Sequence, residues 1–210
     1  MRFSSVLIFS LSCLAPWASA RQSPASLSAV APRSASFGNK FSLPGIANAG
    51  KVSETLFRGA QPGIEHLREL KKLGVTTIVD LRAESPHLRE RERQKAASLG
   101  MRFVSIPVGG FSLPTSEQLA EYFTLLRQAP IEKIFVHCEY GEDRTGVFIA
   151  SYRIAFEQWT PDEALSEMLY FGYNRHWHPS MTAFVRLLPE RLESDPRLKS
   201  ALADPAPRLF

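Results

Sequence analysis

A chain of 210 residues with 44% hydrophobic and 22% charged content is one ordinary globular domain, large enough to bury a proper core. Its formal charge of +4 is spread without any Lys/Arg run, which excludes the concentrated basic face of a nucleic-acid binder. With only two cysteines, Cys13 and Cys138, it is not a disulfide scaffold.

The N-terminus carries an address. Arg2 precedes the apolar run Val6-Leu-Ile-Phe9 and the segment Leu11–Ala15, and Ala18-Ser-Ala20 fits a small-x-small cleavage site. Residues 1–20 therefore read as a secretory signal peptide, too short for a membrane span. Lipoprotein processing at Cys13 is the weaker alternative, because Ser10 stands where a large aliphatic is expected. The mature protein is expected to be exported, to the periplasm, with no stable membrane span and with one thiol. Residues 21–40, rich in Ser, Ala and Pro, read as a flexible linker.

A domain of alternating strands and helices is expected over residues 41–194. First strands fall within Gly45–Val52 and Leu56–Gly59. Pro62 suits a first helical residue, and Ile64, Leu67, Leu70 and Leu73 mark one helix face that ends at Gly74. Thr76–Leu81 predicts a central strand, Pro86–Leu99 a charged helix, and Arg102–Ile106 the next strand. Thr115-x-x-Gln118 and Thr160-Pro-Asp-Glu163 are capping boxes, each opening a helix. Between them Ile134–His137 is a short buried strand. A last helix spans about Ser180–Leu192, and residues 195–210, with Pro205 and Pro207, read as a frayed tail. Strands alternating with helices imply an α/β fold with a mainly parallel central sheet flanked by helices. Ligands of such sheets sit beyond the carboxyl ends of the strands, which gathers Asp80-Leu-Arg82, the Val108–Pro114 loop and the residues after His137 on one rim.

Those last residues, His137-Cys-Glu-Tyr-Gly-Glu-Asp-Arg-Thr-Gly146, form a tight loop between a strand and a helix. Such a loop suits an oxyanion, because backbone N–H groups and a helix N-terminus converge on it. Glu139, Tyr140, Gly141, Glu142, Asp143 and Arg144 would line the phosphate, and Arg144 adds a planar fork for two oxygens. Cations and a helix N-terminus can lower a thiol from pKa ~8.5 to ~3.5–7.5, so Cys138 is expected as a nucleophilic thiolate. A nucleotide-binding P-loop is excluded, because no Gly-Lys-Ser/Thr is present.

His-Cys-x5-Arg-Thr-Gly resembles the signature loop of cysteine-dependent tyrosine and dual-specificity phosphatases. Leu43-Pro-Gly-Ile-Ala-Asn48, Leu56-Phe-Arg-Gly-Ala-Gln-Pro62, Val79-Asp-Leu-Arg82, Ile106-Pro107, Tyr152-Arg-Ile154, Trp159 and Glu163-Ala-Leu165 resemble blocks of a bacterial branch of that superfamily. The resemblance implies a dual-specificity-phosphatase-like fold and a thiophosphate intermediate on Cys138. It also implies transition-state stabilisation by Arg144 and a hydroxyl donor to the leaving thiolate at Thr145. It requires neither metal nor cofactor, and His176-x-His178 lacks a third ligand.

The aspartate that many members carry after the strand matching Arg102–Ile106 is missing here, since Val108–Ser116 holds no carboxylate. Asp143 is the preferred general acid, ahead of Glu117 and Glu142. The expected substrate is a phosphotyrosine-containing protein or a small phosphomonoester. A phosphoinositide or inositol-phosphate phosphatase is the alternative, disfavoured by Glu139, Glu142 and Asp143 in the loop. A rhodanese-like sulfurtransferase and a catalytically dead phosphate-binding module complete the alternatives.

Overall fold

The computed structural model describes residues 36–128 and 131–203; the expected signal peptide and most of the expected linker lie outside them. Six strands form one sheet: β1 (Asn39–Lys40), β2 (Gly50–Lys51), β3 (Leu56–Gly59), β4 (Val75–Arg82), β5 (Arg102–Val108) and β6 (Lys133–His137). Their order is β1-β2-β3-β6-β4-β5. The β1–β2–β3 edge is antiparallel, and β3, β6, β4 and β5 run parallel. The last strand in sequence, β6, therefore lies in the middle of the sheet, and whatever follows it emerges at the centre of the carboxyl edge.

Among the described residues, seven α-helices accompany the sheet: α1 (Leu67–Lys72), α2 (Pro86–Ser98), α3 (Ser116–Gln128), α4 (Asp143–Glu157), α5 (Pro161–Tyr170), α6 (Pro179–Ser194) and α7 (Pro196–Leu202). The strands sort their residues by the two-residue period of the pleat. Leu56, Val79 and Val136 point into one core, shared with Phe123, Phe148, Met168 and Leu188 of α3–α6. Phe57, Ile78 and Phe135, their immediate neighbours, point into a second core with Leu67, Leu70 and Ala96 of α1 and α2. Burial on both faces accounts for the unbroken apolar character of β6.

Both capping boxes are formed. Thr115 N donates to Gln118 Oε1 at 2.8 Å and Gln118 N to Thr115 Oγ1 at 3.2 Å. The same reciprocal pair joins Thr160 and Glu163 at 2.7 and 3.3 Å.

Four expectations need correction. The first helical turn after Pro62 is a 3-10 turn, Ile64–His66, and α1 begins only at Leu67, because His66 N bonds back to Gly63 O at 2.8 Å. The strand expected in Gly45–Val52 shrinks to two residues. Residues 36–40 are not linker: β1 pairs with β2, Gly38 N donates to Glu167 Oε1 at 2.6 Å, and Phe37 packs on Trp159 and Tyr170. Residues 196–202 are not frayed tail either. Asp195 accepts from Arg197 N at 2.8 Å as an N-cap, Pro196 takes the first helical position, and Leu198 is fully buried.

Candidate active site

Residues 138–142 link β6 to α4 at the centre of the carboxyl edge. Gly141 has φ 72°, and a Cβ there would lie 2.4 Å from the backbone of Gly59, so this position admits only glycine. The loop is thus pressed against β3, and its carbonyls are tied down one after another. Cys138 O accepts from His137 Nδ1 at 3.0 Å, and Glu139 O from Gln61 N at 3.0 Å. Gly141 O accepts from Arg58 Nη2 at 2.7 Å and from Asn48 Nδ2 at 3.1 Å. In a trans peptide the carbonyl and the next N–H point in opposite directions. Carbonyls drawn outward therefore turn the N–H groups of Glu139, Tyr140 and Glu142 toward the inside of the loop, where α4 also directs its N-terminus. This is an anion cradle above a buried Cys138.

Arg144 lies in the first turn of α4 and is almost wholly buried. Its Nη1 donates to Glu84 Oε2 at 2.9 Å and to Val108 O at 3.0 Å, while Nη2 donates to Glu84 Oε1 at 2.7 Å. Those three bonds use the end-on edge of the guanidinium. The Nε–H and the second Nη2–H remain as a parallel side-on fork for two phosphate oxygens. The bond from Arg144 in turn holds the Glu84 carboxyl below the usual carboxylate range.

The floor is a set of buried charges. Arg82 forks onto Asp80 at 2.8 and 2.9 Å and reaches Glu92 at 2.6 Å. His137 Nε2 lies 2.9 Å from Glu92 Oε1. A carbonyl only accepts, so Nδ1 of His137 carries a proton toward Cys138 O, and the carboxylate of Glu92 favours a second proton on Nε2. Burial alone pushes the His137 pKa down; the Glu92 and Asp80 carboxylates outweigh it, and the net direction is up. Two carboxylates and two cations then balance in a dry site. Removing one partner of such a set commonly costs about 3–5 kcal/mol. On the β3 side, Arg58 is fully buried and stacked on Phe171 at 3.9 Å, and burial pushes its guanidinium down to about 10.

A family model described as "DSP-PTPase phosphatase fused to NAD+ Kinase" matches residues 44–174, which include β2–β6, the loop and Arg144. The chain belongs to this phosphatase family. Dual specificity protein phosphatase TpbA of Pseudomonas aeruginosa is 29% identical over 126 residues, 60% of this chain and 55% of that protein. Dual specificity protein phosphatase 26 of Rattus norvegicus is 26% identical over 126 residues, 58% of each chain. The chain spans about half the length of the curated relatives it matches. A crystal structure of P. aeruginosa TpbA superimposes with TM-score 0.64 at 26% identity, covering 82% of this chain and 99% of that one. A Cys-to-Ser form of TpbA in complex with pTyr shares the fold, with TM-score 0.62 at 24% identity and the same coverage.

Within this phosphatase scaffold the expected site residues fall into three groups. Cys138, Gly141, Arg144 and Thr145 come together in the buried cradle. The Thr145 hydroxyl is buried with no hydrogen-bond partner among the described residues, which leaves it uncommitted beside the Cys138 loop. Glu139 and Tyr140 supply backbone to the cradle but hold their side chains in solvent. The Glu142 side chain packs toward Gly172, and burial, with the nearby Asp143 charge, pushes its carboxyl above the ordinary value. Asp143 turns to the segment after α5: Oδ1 accepts from Asn174 N at 3.2 Å, and Oδ2 lies 3.5 Å from His178 Nε2. Glu117 is removed from the cradle and pairs with Arg197 of α7 at 3.0 Å.

Arg82 and Arg58 are both committed to the floor. Asp80, Glu92 and His137 present ligand atoms within 4.8 Å of one another, but Arg82 already bridges the two carboxylates as their cation. Sequence reasoning missed Glu84, Glu92, Asn48 and the Gln61 backbone. Only Glu84 carried a usable signal, standing two residues past the end of β4 and so beside the loop that follows β6.

Proposed function

We propose that this chain is a cysteine-dependent phosphomonoester hydrolase of the protein-tyrosine and dual-specificity type. The observation that carries this reading is the cradle: inward N–H groups, the free side-on fork of Arg144 and a buried thiol at its base. Cys138 Sγ attacks phosphorus, the P–O bond to the alcohol breaks, and the departing oxygen takes a proton. Arg144 and the N–H groups hold the equatorial oxygens while charge spreads over them. Water then attacks the phosphocysteine, its proton goes to a base, and the thiolate leaves with Thr145 as hydroxyl donor. Asp143 is the proposed acid and base, as the carboxylate adjoining Arg144. No step calls on a metal or cofactor.

Phosphotyrosine is the proposed substrate class. The pTyr complex of the similar TpbA fold supports it, as does the acidic rim of Glu139, Glu142 and Asp143, which repels ligands carrying several phosphates. Purified protein should hydrolyse para-nitrophenyl phosphate, and Cys138→Ser should lose at least about 10²-fold in kcat while still binding phosphate. Retained turnover in that variant would refute the covalent route. Residues 1–20 we further read as the export signal of a bacterial, periplasmic enzyme; N-terminal sequencing of native protein should begin at Arg21, and an intact Met1 would count against it.

A further inference from the structure

The rim loop that follows β5 holds no carboxylate, and its most exposed large side chain, Phe111, turns to a neighbouring segment. Its ring lies on the imidazole of His178, with centroids 4.9 Å apart and planes at 34°. The same imidazole presents Nε2 to Asp143 Oδ2 at 3.5 Å, with side chains only 11% and 21% exposed. The segment 172–178 is built to hold this meeting. Tyr173 Oη donates to His178 O at 2.6 Å and is shared with Thr182 Oγ1 at 2.8 Å. Asn174 closes its own turn by accepting from His176 N and Trp177 N, and its backbone N–H donates to the other oxygen of Asp143.

We infer that His178 is the proton partner of Asp143, a positioning residue that makes the pair, rather than the carboxyl alone, the proton source for the leaving group. The inference rests on the phosphatase reading above. With a backbone N–H on Oδ1 and an imidazole at Oδ2, Asp143 has one oxygen fixed and one facing a proton donor. When the P–O bond breaks, the alkoxide takes a proton from Asp143, and His178 Nε2–H replaces it. When water attacks the phosphocysteine, Asp143 passes its proton back to His178 Nε2 as it takes up the one that water releases. One proton leaves and one returns in each turnover, so nothing further is consumed. Phe111, in the loop that would otherwise bring an acid, instead shields the imidazole from solvent.

A good leaving group needs little protonation, whereas an alkoxide needs it greatly, so the two classes of substrate separate the pair from mere structure. In the full chain, His178→Gln should lower kcat for benzyl phosphate by about 10–10²-fold with KM unchanged, and kcat for para-nitrophenyl phosphate by less than about 3-fold. Imidazole added to His178→Gly should restore turnover of benzyl phosphate. Asp143→Asn, which leaves His178 and its stacking in place, should show the same leaving-group dependence, and adding His178→Gln to it should cost nothing more. Equal losses on both substrates, a full loss from each change added together, or no loss at all would overturn the inference. Should His178→Gln not fold, leaving-group-independent kinetics of Asp143→Asn would overturn it alone. Wild-type protein that leaves para-nitrophenyl phosphate untouched would instead overturn the phosphatase reading.

Discussion

The floor and the rim of the site are built in opposite ways. On the floor, Arg144, His137, Arg82 and Arg58 are buried, and each makes close polar contacts to a carboxylate or a loop carbonyl. On the rim, Phe111, Trp177 and Tyr140 are 75%, 71% and 63% exposed, on three separate segments. Burying charge is costly unless it is paired, so the floor is confined to one arrangement, which on the proposed reading suits a phosphoryl dianion. Exposed aromatics cost little to reposition. On that reading the floor sets the reaction, and the rim selects the ester.

The largest effect that would test this contrast comes from Arg144→Lys. Lysine cannot reproduce the fork or hold Glu84 and Val108 O together, so kcat/KM on para-nitrophenyl phosphate should fall by about 10²-fold or more, with the fold retained by circular dichroism. A loss of only a few fold would mean that the floor is as adaptable as the rim.

Of intermediate size is the alkaline response of the floor. The His137 pKa is raised in the folded state, so its stabilisation is complete below its unfolded value of about 6.5 and is lost as pH climbs through the folded value. Melting temperature should accordingly decline from pH 6 toward pH 9 in the wild type. His137→Gln should start lower and lack this component. Parallel profiles for the two proteins would remove His137 from the charge set.

The smallest effect belongs to the rim. Trp177→Ala should leave kcat on para-nitrophenyl phosphate within about 2-fold and raise KM for phosphotyrosyl peptides several-fold, since a half-open aromatic contact is worth about 0.5–1.5 kcal/mol. A large drop on the small substrate would show that the rim reaches the chemistry.

The same contrast governs what the sequence disclosed. The cradle was legible because its chemistry is local: Cys138, Gly141, Arg144 and Thr145 sit within eight residues, between a strand and a helix that announce themselves. The sheet's parallel character followed from strand–helix alternation, and both Thr-initiated caps from reciprocal spacing. Glu92 was not legible, and Glu84 only through its place after β4, because they reach His137 and Arg144 across 45 and 60 residues of chain through the packing of α2 and β4 against β6. His178 was weighed as half of a metal motif, when its partner is a carboxylate on another helix. The helix α7 is only seven residues long, and its Asp195-Pro196 start is offset in the sequence by Pro205 and Pro207, which signal a tail. The strand β1 hides in a polar stretch, where two residues of pairing leave no periodicity to detect.

The outward-tied carbonyls of residues 138–141 have a consequence for product release. On the proposed reading, a cradle held open by β3 and His137 fits inorganic phosphate as well as it fits the phosphoryl group of an ester, so product and substrate compete for it. The exposed carboxylate of Glu139, which lends the cradle its backbone but not its side chain, then favours departure of the free dianion.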